Sequence, residues 1–403
     1  MTIATTDPLQ VLRRVLLREP YVFPEAEMDR VRLAGPSFEP WPGTYALVGY
    51  ELSRAVLREP CLVVEDSRAF GERFPRWREH VATRSFMREL LSVNGETHRQ
   101  LREVLSQAFV PPGKARMQHI VSATVLEIMS GADEALRQGL EVILEPLCSR
   151  IPLLSIGRLL GLPDDMAEFM AARSDTFSDL IRCNFMSRRR LLDADVAVRE
   201  MQDAVRHVIA ADEVAPAGLL ADLLRQRTNV PDALDEEGLL ANVILLYSAG
   251  YDTTRSLIGH ALRTLAGDPS LVRDLRSEQS RLIRFIREIE RLHPPIPLTS
   301  RFAQVDVAVG DHHYPAGSHV FVLIDAANRD PAVAGELGPH QLSYTGHSSR
   351  SLSFGAGART CLGLPMARAL TEATLAHVLA EWPDVALLHD AVSRSVEPAA
   401  SVR

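Results

Sequence analysis

Apolar residues recur three and four positions apart through most of the chain, and this spacing predicts a mainly helical protein. The helical pattern covers roughly 97–109, 115–137, 140–160, 164–175 and 187–211. Two longer stretches follow, about 235–266 and 271–292, and a last one spans about 364–382. The pattern is weaker before residue 96. Residues 1–45 are rich in proline and read as irregular, 45–48 reads as a short strand and 51–57 as a helix. Residues 66–95 mix charges and aromatics without a period, which reads as a long loop. Alternation typical of strands returns at 305–309 and 319–323, with Gly310 and Asp311 forming the turn between them, and 331–350 reads as loop. The fold class expected is mainly α with a small β portion, α+β by type. No repeat and no linker interrupts the chain, so residues 1–403 are expected to form a single domain.

Composition narrows the function. At 403 residues with 46% hydrophobic content, the chain can bury a large core. A net charge of −8 argues against a nucleic-acid binder, because neutralising phosphates needs a basic face. The opening MTIATTDPLQ has no basic region followed by an apolar core, so no secretory signal is expected. The most apolar stretch, 239–250, is too short to span a bilayer and contains Asn242. A cytoplasmic protein without a membrane anchor is therefore expected. Cys61, Cys148, Cys183 and Cys361 are scattered, with no paired spacing and no disulfide framework. Such cysteines are by default small buried hydrophobes, and only Cys361 has a local reason to differ.

That reason is the string Phe354-Gly355-Ala356-Gly357-Ala358-Arg359-Thr360-Cys361-Leu362-Gly363. Two glycines permit a tight backbone excursion just before the cysteine, and Gly363 with Pro365 opens a helix just after it. A cysteine at a helix N-terminus has its thiolate stabilised by the dipole and by free N–H groups, which also tune a metal held by the sulfur. Arg359 adds a cation suited to a carboxylate. Elsewhere, Glu288 and Arg291 lie three apart on one helical face and can form an ion pair. His98 and Arg102 lie four apart on another. The long helix carries Ala249-Gly250-Tyr251-Asp252-Thr253-Thr254, and polar groups in so apolar a helix are costly unless they serve a purpose. Thr253 can donate to the carbonyl of Ala249, and Gly250 leaves room for a small ligand against the backbone.

The ten-residue cysteine string resembles the haem-binding loop of the cytochromes P-450, FGxGxRxCxG, without a mismatch. The resemblance implies a P-450 fold with its long central helix over a haem b, Cys361 as the thiolate ligand of the iron, and Phe354, Gly355, Arg359 and Gly363 around the cofactor. It identifies Glu288 and Arg291 as the structural core pair. His98, Arg102 and Arg301 match propionate-binding positions, and Ala249 and Gly250 match the oxygen groove. Asp252 and Thr253 match the acid–alcohol pair that supplies protons. The pocket is expected to draw on loop 66–95, the region 170–195, Leu245, Ser248 and Ala249, and Pro295, Ile296 and Leu298. Two departures stand out. Pro339-His340-Gln341-Leu342 replaces a segment where the family has an arginine, so the third member of the core network is expected to be missing or replaced. The chain also ends at Arg403, soon after Trp382-Pro383-Asp384, which implies a reduced far wall and a large or carrier-protein-bound substrate.

The implied activity is a monooxygenase that places one oxygen atom from O2 into a small organic substrate in secondary-metabolite biosynthesis. Electrons would come from NAD(P)H through a ferredoxin reductase and a ferredoxin, since the chain has no flavin or iron–sulfur motif of its own. A haem-thiolate oxidase that couples substrates without inserting oxygen, and a non-enzymatic haem sensor, are the alternatives. The Asp252–Thr253 pair favours the monooxygenase, because a sensor needs no proton relay.

Overall fold

Asp235 ends an extended stretch and its carboxylate accepts the N–H of Gly238 at 2.8 Å, which starts the longest element of the protein, the 32-residue helix Glu236–Gly267. Most of that helix is apolar on every side and buried, as expected of an element enclosed by others. The computed structural model describes residues 7–17, 23–138, 142–182, 187–278, 280–334, 338–345, 350–382 and 385; side chains are described neither for 175–182 nor for 229. The chain folds as two compact units, each assembled from discontinuous stretches.

One unit comprises Met1–Arg68 and Arg287–Leu362. It holds all the described strands: β1 (Ser37–Trp41), β2 (Thr44–Leu47), β3 (Leu62–Val63), β4 (Thr299–Ala303), β5 (Val307–Val309), β6 (His312–Tyr314) and β7 (His319–Val322). The main sheet has the order β1-β2-β7-β4-β3, with β2 and β7 parallel (Tyr45 opposite Val320) and the other neighbours antiparallel. The expected turn at Gly310 and Asp311 exists, but it joins β5 to β6 as a separate hairpin. The 319–323 strand pairs instead with β2 and β4. Residues 1–45, read as irregular, contain the helices Pro8–Leu17 and Glu25–Ala34 as well as β1. Val11, Leu12, Val15 and Leu16 of the first helix and Met28 and Val31 of the second pack with Ala46, Val48 and Phe321 in one apolar cluster.

The other unit comprises Ala69–Ile286 and Gly363–Arg403. Here Glu236–Gly267 is packed by the helices Leu144–Leu160, Asp164–Arg182 and Leu364–Glu381. Asp133, on the helix Gly113–Arg137, accepts from Trp382 Nε1 at 2.7 Å and meets His377 Nε2 at 2.9 Å, which fixes the C-terminal helix. Part of the expected loop 66–95 is ordered as the helices Ser67–Arg73 and Val81–Phe86 with a 3-10 turn, Trp77–Glu79. The single helix expected over 271–292 is two, Pro269–Ser277 and Ser280–Leu292, because Glu278 is extended. No described helix is long and apolar enough to cross a membrane.

Candidate functional site

In the strand-bearing unit, the backbone forces the cysteine outward. Gly355 and Gly357 have φ of +69° and +72°, a region that side chains disfavour, and a Cβ on Gly357 would lie 3.0 Å from Arg58 Cα. Around them the chain closes on itself: the N–H of Cys361 donates to Phe354 O at 2.8 Å and that of Gly355 to Leu352 O at 2.8 Å. A 3-10 turn, Gly357–Arg359, intervenes. Gly363 then caps the helix Leu364–Glu381, with Pro365 in its first turn and Met366 and Ala367 donating to the Gly363 carbonyl. Cys361 therefore presents an exposed thiol three residues before a helix, while the loop around it is tied down.

The loop is fastened from below by the ion pair. Glu288 and Arg291 are 1% and 0% exposed as side chains. Arg291 holds both carboxylate oxygens, Nε to Oε1 at 2.8 Å and Nη2 to Oε2 at 2.9 Å. Its remaining donors reach the carbonyls of Asn328 (3.2 Å), Pro339 (2.8 Å) and Gln341 (3.0 Å), so all five N–H groups are used. Glu288 also accepts the N–H of Ser343 at 2.8 Å. Main-chain groups of 339–343 thus contribute to the network from both sides, carbonyls accepting from Arg291 and the Ser343 N–H donating to Glu288. His340 secures the same segment through Asp29 at 2.9 Å. Asn328 passes the order on to the cysteine loop: its side chain accepts from Leu352 N at 2.7 Å and donates to Ser353 Oγ at 2.8 Å.

Arg301, in the middle of β4, is buried, and its described partners are only the Thr299 hydroxyl and the Ser300 carbonyl. Burial without a carboxylate lowers its pKa to about 10. A buried cation with no counter-charge suits a bound group that carries a carboxylate. Together with an exposed thiol on a constrained loop, it fits what a haem requires. Arg359 is half-buried on the loop, and Pro295, Ile296 and Leu298 are half-buried ahead of and at the approach to β4.

In the helical unit, Thr253 Oγ1 donates to Ala249 O at 2.7 Å, the back-bond that its position suggests. Asp252 is buried and accepts from Arg255 Nη2 at 3.1 Å, while Arg255, one-third exposed, also lies 3.5 Å from Glu145. Two expectations change. Gly250 does not leave space for a ligand: a Cβ there would lie 2.8 Å from Ile156 Cδ1, so the glycine admits the neighbouring helix Leu144–Leu160. Ser248 is fully buried with its hydroxyl 3.2 Å from that of Ser174, a helix–helix contact rather than an open pocket wall. Leu245 is buried, Ala249 and Thr253 half-buried. His98 is buried and Arg102 half-buried, one turn apart on the helix Gly95–Leu105. Cys183, part of 170–195 and the stretch after Val385 lie outside the described residues.

Sequence reasoning passed over Glu89. It is fully buried, and neither carboxylate oxygen has a partner. A charged residue inside an otherwise aperiodic stretch was the only available signal.

The cytochrome P-450 family model matches residues 153–383, more than half of the chain. The Bacillus subtilis biotin biosynthesis cytochrome P-450 is 27% identical over 383 residues, covering 92% of this chain and 91% of that protein. Among solved structures, ligand-free Mycobacterium smegmatis CYP164A2 superposes with a TM-score of 0.75 at 25% identity, covering 93% of both chains. P450BioI, solved in complex with a hexadec-9Z-enoic acid-ligated acyl carrier protein, reaches 0.77 at 24% identity over 91% of this chain and 92% of that one. The chain belongs to the cytochrome P-450 family. It is an oxidoreductase of the haem-thiolate monooxygenase class, using haem, O2 and electrons derived from NAD(P)H through redox partners.

Proposed function

We propose that residues 1–403 act as one P-450 domain, in the cytoplasm, inserting one oxygen atom into a C–H or C=C bond of a small organic substrate in secondary-metabolite biosynthesis. Haem b is the cofactor, and a ferredoxin with its reductase delivers the electrons. The acyl carrier protein held by P450BioI makes a carrier-bound substrate the form to test beside the free one. When bound, the haem supplies reductive activation of O2. The protein's own contribution begins at Cys361, whose sulfur is the iron ligand. The Gly355–Gly357 loop holds it outward, and the helix start at Leu364 favours its thiolate form. Arg301, Arg359, Arg102 and His98 are assigned to the propionates, and Phe354 and Gly363 to the porphyrin surroundings.

The observation that carries oxygen insertion is the Asp252–Thr253 pair in the apolar helix. Thr253 keeps its hydroxyl oriented by donating to Ala249, and its oxygen remains able to accept a proton donor. Asp252 holds an acid–base group in a dry segment, linked through Arg255 toward a partly exposed surface. Thr253→Ala should fold and bind substrate, since the change removes little volume and improves helix propensity. With a surrogate ferredoxin system, cofactor oxidation should continue while hydrogen peroxide rises and product per electron falls severalfold. Unchanged coupling would remove Thr253 from proton delivery and favour the coupling-oxidase reading.

A further inference from the structure

After the helix Val81–Phe86 the chain continues in overlapping turns: Arg88 N bonds Ser85 O, Glu89 N bonds Phe86 O and Ser92 N bonds Glu89 O. Along this short path, three buried polar side chains have no partner: Ser85, Glu89 and Ser92. Glu89 is the costly one. Both of its oxygens are enclosed, and the neighbouring Arg88 turns away to Asp235. Native proteins seldom leave a carboxyl group in this state without a ligand to complete it.

The position of Glu89 is fixed by Asn242 of the long helix. The Asn242 amide accepts from Leu90 N at 3.0 Å and donates to Arg88 O at 3.2 Å, gripping the backbone on both sides of Glu89. Residues 7 and 11 further along a helix return to nearly the same face, so the stripe that starts at Asn242 continues through Ala249 to Thr253. Seven residues of helix separate Asn242 from Ala249 by about 10 Å. Glu89 is thus held at one end of the helix face whose other end carries the proposed oxygen-activating residues.

We propose that Glu89 is a specificity-determining residue that receives a cationic nitrogen group of the substrate, an ammonium or guanidinium, at the end of this helix face about 10 Å from Ala249 and about 16 Å from Thr253. This rests on the monooxygenase reading of the same helix. A multiply donating cation satisfies both carboxylate oxygens at once. Burial pushes the Glu89 carboxyl well above the ordinary carboxylate range, because no opposite charge offsets its loss of solvent.

The test uses holoenzyme and three probes on one skeleton: 4-phenylbutylguanidine, 4-phenylbutanol and 4-phenylbutanoate. The guanidinium stays protonated at neutral pH and cannot ligate iron through a free amine. Dissociation constants are measured by equilibrium dialysis. Wild type should bind the guanidinium at least tenfold tighter than the alcohol and bind the carboxylate weakest. Glu89→Gln should lose that preference while keeping alcohol binding, and Glu89→Leu should reverse it; neither introduces a charge that would endanger folding. A preference unchanged in Glu89→Gln overturns the assignment, as does a wild type without preference. The reduced carbonyl spectrum separates the two layers. A normal thiolate-type band without guanidinium preference sinks the Glu89 proposal alone, whereas absence of that band in wild type sinks the haem reading beneath it.

Discussion

Arg291 has five N–H donors, and each is used: two on Glu288 and three on main-chain carbonyls. Removing Glu288 leaves a fully buried cation with only neutral partners, a state that costs about 3–5 kcal/mol. Glu288→Ala is therefore expected to give low yields and poor haem incorporation rather than a pure rate defect; normal thermal stability with full haem content would count against this role. The pair itself is legible in the sequence because it is local, three residues apart on one helix. The part played by 339–343 is not legible, because Pro339, Gln341 and Ser343 contribute main-chain atoms that any side chain could accompany. Gly250 misleads for a related reason. A missing Cβ reads as room for a ligand, while the atom that fills the room, Ile156 Cδ1, comes from a helix almost a hundred residues earlier.

At the scale of elements, the cysteine loop and the long helix are the most readable features, and both are set by nearby residues. The glycines, the helix-opening Gly363 and Pro365, and the N-cap Asp235 all act within a few positions of where they stand. The two loop glycines are nevertheless unequal. Both have positive φ, worth roughly 1–2 kcal/mol against a side chain. At Gly357 a new Cβ also meets Arg58 Cα at 3.0 Å and Leu57 O at 3.1 Å, backbone that cannot easily move, whereas at Gly355 the nearest atom is 3.6 Å away. Gly357→Ala should therefore lower the holoenzyme's melting temperature and haem retention clearly more than Gly355→Ala; equal effects would mean that the close approach to Arg58 is unimportant. The elements missed were obscured by composition. Proline around residues 8–42 suggested irregular chain, but Pro8 and Pro24 stand at helix starts, where a missing N–H costs nothing. Nothing in Ser277-Glu278 announces the break between the two helices there. The extended Glu278 interrupts a run whose apolar spacing continues on both sides.

At the scale of the molecule, the mainly helical class with a small sheet follows from periodicity, while the arrangement does not. β2 lies beside β7, and β3 beside β4, across more than two hundred residues, and each compact unit is stitched from separate stretches of chain. Short strands carry too little pattern to declare such distant partners. What the whole chain does converges on one atom, the sulfur of Cys361. The most direct test is the absorbance of the reduced protein under carbon monoxide, for wild type and Cys361→Ser purified with haem. Serine cannot supply a soft anionic ligand. Wild type should give the red-shifted Soret band of a thiolate-ligated ferrous carbonyl, and Cys361→Ser should lack it and lose oxygenase activity. A variant that keeps both the band and the activity would contradict the assignment of Cys361 as the ligand.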